Sequence, residues 1–73
     1  MPLSERDKEL RILANRLRYY RKRRKLSQKQ LAHLLKMDKQ NYGRIECAKQ
    51  NPRYTTLVEI CKVLNVSAKQ LLP

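Results

Sequence analysis

Glycine is almost missing from this chain: Gly43 is the only one in 73 residues. Tryptophan and phenylalanine are absent, histidine occurs once, cysteine twice, and six acids face 18 lysines and arginines. Each shortage closes off a class of protein. Two cysteines, Cys47 and Cys61, with no cysteine or histidine cluster around them do not make a zinc site. A disulfide between them is disfavoured in a reducing compartment. No apolar run approaches the ~20 residues of a membrane span. The start "MPLSERDKEL" is polar at once and lacks a signal-peptide pattern, so the expected location is the cytoplasm. No nucleophile, base and orienting group converge, so no enzyme, cofactor or metal is expected. His33 reads as a surface residue on a helix between the core positions Leu31 and Leu34.

What is present is positive charge. The formal net charge is +12, and three of the six acids (Glu5, Asp7, Glu9) fall in the first nine residues, leaving the remainder more basic still. So many like charges on one small chain call for a polyanion, with nucleic acid ahead of an anionic membrane. Phosphate neutralisation and counterion release supply binding energy without sequence preference.

The length suits one small domain, taken as residues 1–73. There is no linker, repeat or low-complexity tract. Apolar residues recur at helical spacing throughout and no segment alternates with period two, so the fold class is all-α, with five helices and short connections. Leu10, Leu13, Ala14, Leu17 and Tyr20 form the stripe of a first helical region from Ser4 to about Lys25, either one helix or two. Ser4 with Asp7 is its N-cap. "LSQKQL" places a capping box at Ser27 and Gln30 with a staple from Leu26 to Leu31, and "VSAKQL" repeats the device at Ser67 and Gln70. "MDKQNY" is a weaker version in which Asp38 caps. Helices therefore begin near Gln28, Lys39 and Ala68. Between the last two, "YTTLVEICKVLN" puts Leu57, Ile60, Cys61 and Leu64 on one face and ends at Asn65. Short helices at about 28–35 and 39–47, joined by a tight turn in a basic domain, point to a helix-turn-helix.

In register over most of the chain stand Leu17, Arg18 and Arg21; Leu26, Ser27, Gln28, Leu31 and Ala32; Tyr42, Ile45 and Glu46; Asn51 and Pro52; Leu57 and Ile60; Leu64, Val66 and Ser67. On these residues the chain resembles the Cro/C1-type (XRE-type) helix-turn-helix repressors. The resemblance implies a five-helix, lambda-repressor-like domain with the motif at about 28–47 and the helix at 39–47 in the DNA major groove. It implies base contacts from Lys39, Gln40 and Arg44 and a phosphate contact from Gln28, with Asn41, Lys49 and Arg53 as further phosphate candidates; Gly43 joins them on the separate ground given below. Arg21 matches an arginine that pairs with the glutamate at Glu46. The family often has glycine where this chain has Lys25, Lys36, Ala48 and Asn65, so each is expected near a turn needing positive φ. Tyr42 replaces an aliphatic residue, and its hydroxyl needs a partner if buried.

A glycine inside a helix costs roughly 1 kcal/mol against alanine. On a wheel of about 100° per residue Tyr42 and Ile45 point inward, whereas Gln40, Gly43, Arg44 and Cys47 point outward. The bare Gly43 would let the helix backbone approach a phosphate or base edge; alternatively any small residue serves there.

The expected function is a sequence-specific, double-stranded DNA-binding regulator, a repressor or controller, acting as a homodimer on a pseudo-palindromic operator. Leu71 and Leu72 are the expected contact surface, unless they complete the core. The runner-up is the same fold binding RNA or a protein, as an antitoxin does. RNA binders show more exposed aromatics than the spare Tyr19 and Tyr54. A third reading, a membrane-active basic helix at "RLRYYRKRRK", conflicts with the folded-domain signals after it.

Overall fold

A computed structural model describes residues 4–73, so the first three residues of the expected domain lie outside the description. Five helices follow one another: α1 (Glu5–Arg23), α2 (Gln28–Leu34), α3 (Lys39–Glu46), α4 (Tyr54–Leu64) and α5 (Ala68–Leu71). No strand occurs among the described residues. None of these helices is long and apolar enough to cross a membrane.

The first region is one helix. The Ser4 hydroxyl accepts from the Asp7 amide at 3.2 Å, acids occupy the first turn, and Arg21, Lys22 and Arg23 occupy the last. Both ends thus complement the helix dipole. The box on α2 closes as expected: Ser27 N–H donates to Gln30 Oε1 at 2.8 Å, and Gln30 N–H donates to Ser27 Oγ at 3.0 Å. At α5, Ser67 N–H donates to Gln70 Oε1 at 2.8 Å. Asp38 departs from expectation. It has the extended backbone of an N-cap, yet its side chain makes no capping hydrogen bond, so α3 starts without one.

Four helices end in the same way. Lys25, Lys36, Ala48 and Asn65 all have positive φ, between 55° and 60°. In each case the next amide reaches five residues back: Leu26 to Arg21 at 3.2 Å, Met37 to Ala32 at 2.9 Å, Lys49 to Arg44 at 2.9 Å, Val66 to Cys61 at 3.0 Å. This is the Schellman closure, which satisfies orphan carbonyls and favours glycine at the left-handed position. Here it is built without glycine, at a steric cost of roughly 1–2 kcal/mol per residue. Leu26, Met37 and Val66 fold back from these turns onto the core, which helps offset that cost.

The core comprises Leu13, Leu17, Leu31, Ala32, Tyr42, Ile45, Ile60, Leu64 and Leu71. α1 packs on α3 and α5, α2 packs on α3, and α4 packs on α5. Arginines in α1 and at its C-cap tie down distant chain. The Arg24 guanidinium donates to the Leu64 carbonyl at 3.1 Å, and Arg16 donates to the carbonyl of Leu72. The core reading fails at Leu34, which is 53% exposed because it lies on the flank of the short α2 rather than its inner face. Leu71 is fully buried and completes the core, whereas Leu72 stays exposed.

Candidate nucleic-acid interface

The inner face of α3 is held by one carboxylate. Glu46 is buried, and Arg21 grips it through Nε to Oε2 at 2.7 Å and through a second nitrogen to Oε1 at 3.1 Å. The third nitrogen of Arg21 donates to the Leu26 carbonyl at 2.8 Å. This is the expected pair, in the forked geometry that arginine offers a carboxylate. The Glu46 hydrogen bond raises the Arg21 pKa above its ordinary value, outweighing desolvation by burial.

Two further residues converge on Glu46 that the sequence reading had not joined to it. Arg18 donates to the Glu46 backbone carbonyl at 3.0 Å and lies 3.9 Å from Oε1. Gln28 Nε2 donates to Oε1 at 3.2 Å. The α3 terminus is thereby fixed to α1 and to the start of α2. The signals for Arg18 were its match to the family pattern and its place one turn before Arg21 on the same side of α1.

Tyr42 is fully buried beside this cluster. Its hydroxyl is a buried side-chain atom without a formed hydrogen bond, its approach to Glu46 falling short of hydrogen-bond geometry. Burial first, and the Glu46 carboxylate second, push the phenol well above its ordinary 10.0.

The outer face is free. Lys39, Gln40, Asn41 and Arg44 are exposed, and none makes a side-chain hydrogen bond or ion pair among the described residues. Gly43 is partly exposed between them with ordinary helical φ. A Cβ added there would meet only Gln28 Oε1, at an ordinary 3.6 Å. The protein's own packing therefore does not require the glycine. Gln28, half-buried at the first turn of α2, sets its carboxamide between Glu46 and Gly43.

The other phosphate candidates flank this face. Asn41 and Arg53 line one open groove with Met37, Ile45, Gln50, Pro52 and Thr56. Lys49 is exposed just after the left-handed Ala48 and is not part of that groove. Cys47, the C-cap of α3, is exposed, Cys61 is partly buried, and both thiols are free. His33 is exposed, as expected.

A family profile described as helix-turn-helix matches residues 17–71. Over 61 residues the chain is 38% identical to the control protein C.SmaI of Serratia marcescens, spanning 84% of this chain and 73% of that protein. The fold is similar to the restriction-modification controller protein C.AhdI from Aeromonas hydrophila, with a TM-score of 0.81 and 27% identity over 86% of this chain and 96% of that one. It is also similar to a hypothetical transcription factor, NHTF, from Neisseria, with a TM-score of 0.84 and 25% identity over 100% of this chain and 84% of that one.

Proposed function

We propose, from the premise that this chain belongs to the helix-turn-helix family of DNA-binding transcriptional regulators, that it is a controller or repressor reading a pseudo-palindromic operator as a homodimer. One observation carries the reading. A single short helix has an inner face locked by Glu46 and an outer face of unengaged lysine, glutamine and arginine. A helix held that way meets the major groove at fixed depth. Gln40 pairs with adenine, and Arg44 or Lys39 with guanine. Gln28, Asn41, Gly43, Lys49 and Arg53 set the register on the phosphates. In this reading residues 1–73 act as one DNA-binding unit in the cytoplasm, with no catalytic role.

A small domain buries little DNA, so a second copy adds the affinity one copy lacks. The groove lined by Tyr54, Leu57, Val58, Cys61, Val66 and Leu72 suits that copy. α4 and α5 carry only Lys62 and Lys69 against Glu59, so two copies of a +12 chain meet there with little like-charge repulsion.

Selection from a random duplex pool tests the reading. Recovery of a two-fold-related motif is expected, with sedimentation of a 2:1 protein–duplex complex. Lys49→Ala or Arg53→Ala should weaken all duplexes alike and reduce the salt slope by about one unit. A pool that emerges without any motif, or binding that ignores salt, would overturn the reading.

A further inference from the structure

Arg11, Asn15, Arg18 and Lys22 recur on α1 at spacings that place them on one side of the helix. The structure sets the first three of these residues beside the end of α3. Arg11, Ala14, Asn15 and Arg18 share an open groove of about 190 Å³ with Glu46, Cys47 and Ala48. Cys47 is the next outward position after Gln40, Gly43 and Arg44, so the groove continues the outer face of α3 onto α1. Arg18 is tied to the Glu46 carbonyl, yet its side chain remains 44% exposed. Arg11, Asn15 and Lys22 are exposed, and none has a side-chain hydrogen bond or ion pair among the described residues. The carboxylate in the groove, Glu46, is buried and already shared by Arg21, Arg18 and Gln28, so it does not neutralise the stripe. Glu5, Asp7 and Glu9 bound the stripe at the N-terminal end of α1.

We infer that Arg11, Asn15, Arg18 and Lys22 form a second phosphate-contacting surface, which engages the duplex backbone flanking the bases read by α3. The stripe is about 16 Å long at 1.5 Å per residue, close to five base-pair rises of ~3.4 Å. That matches a few successive phosphates of one strand. Arginine and asparagine side chains are among the groups that contact DNA phosphates, and Arg11 and Lys22, unpaired among the described residues, bring no internal acid that must first be displaced. The inference rests on the proposed DNA reading by α3 and adds a contact outside the operator's read bases.

The test uses the full chain and two duplexes: the selected operator trimmed to its read bases, and the same operator extended by one helical turn on each side. Arg11→Ala is the principal variant, since the Arg11 side chain has no hydrogen-bond or ion-pair partner among the described residues; Arg18 is avoided because it also anchors Glu46. On the extended duplex, Arg11→Ala should make the slope of log K against log salt shallower by about 0.9, and Arg11→Lys should restore it. On the trimmed duplex, Arg11→Ala should match the unmodified chain, with melting and base preference unchanged. Asn15→Ala should weaken only the extended duplex, with little change in slope. Equal binding of both duplexes by Arg11→Ala, Arg11→Glu and the unmodified chain overturns the inference. So does a loss of the same size on both duplexes. In either case Gln40→Ala is measured alongside: if it still loses operator preference, the α3 reading stands without the stripe, and if it does not, the reading falls as well.

Discussion

The two faces of α3 lie within eight residues and obey opposite rules. Tyr42, Ile45 and Glu46 are at most 2% exposed, and Glu46 is engaged by Arg21, Arg18 and Gln28. Lys39, Gln40 and Arg44 are exposed and have no side-chain hydrogen bond or ion pair among the described residues. Rigidity on one side leaves the other side free to meet a partner without losing its geometry. A reading helix loses less side-chain and backbone freedom on binding when its backbone is already fixed.

The largest effect should come from the inner face. Glu46→Ala leaves the buried Arg21 without its counter-charge, and such uncompensated charges cost up to about 3–5 kcal/mol. Thermal melting should show it, and a double-mutant cycle with Arg21→Ala should return a coupling of the same sign. Unchanged melting in both single variants would break the contrast between the faces.

The outer face should respond differently. Gln40→Ala and Arg44→Ala should keep the fold while relaxing preference at particular base pairs by about 1–3 kcal/mol. Binding to the operator and to scrambled duplex, measured together, separates the two quantities. Equal losses on both would mean that bases are read elsewhere.

Alkaline stability sharpens the inner face further. Tyr42 is held neutral in the folded protein by burial, above an ordinary 10.0, and Cys61 is raised by burial from 9.0. The folded state therefore keeps protons that the unfolded chain releases. The stability so gained is complete below about pH 9 and is lost as pH rises beyond the ordinary values. Above pH 10 the Tyr42 part of the slope is about 1.4 kcal/mol per pH unit. Tyr42→Phe should remove that part, and chemical denaturation at several alkaline pH values would measure it. It should cost little near neutrality, since the hydroxyl makes no formed hydrogen bond.

The smallest effects concern glycine. Gly43→Ala should stabilise the fold by up to ~1 kcal/mol, because the added Cβ meets only Gln28 at 3.6 Å. Its operator affinity should nonetheless fall, through the closer approach that the bare backbone allows. Lys36→Gly should relieve about 1 kcal/mol of left-handed strain at φ 57°. Calorimetry on both variants, with DNA titration on the first, tests whether glycine stands where DNA needs it rather than where the turns do.

Much of this was readable before any coordinates. The positive φ at Lys25, Lys36, Ala48 and Asn65 followed from a family pattern that has glycine at those places, and the Arg21–Glu46 pair followed from register. Periodicity placed Leu17 and Ile60 in the core because the longer amphipathic runs of α1 and α4 leave little choice of face. It misplaced Leu34, since seven residues make barely two turns and flank and centre look alike. Asp38 misled because residue type and backbone mark an N-cap, whereas the hydrogen bond depends on a side-chain rotamer the sequence does not encode. Arg18 and Gln28 reach Glu46 across 28 and 18 residues. No local rule reports such meetings. The base-contact list for Lys39, Gln40 and Arg44 was readable only as a match to a family, and it remains for the DNA experiments above to test.

The link from Arg16 to the Leu72 carbonyl, with Leu71 buried in the core, sets an order of events during synthesis. α1 is translated before every other helix described here, but its packing partner α5 is about the last. At ribosomal speeds of about 5–20 residues per second, the ~50 residues between them take roughly 3–10 s. Through that interval α2 and α3 can assemble from near neighbours, while the apolar side of α1 is without α5. A nascent chain of this protein therefore carries its strongest positive charge on the element that is longest in waiting, and final closure of the fold comes only once Leu71 and Leu72 have cleared the exit tunnel.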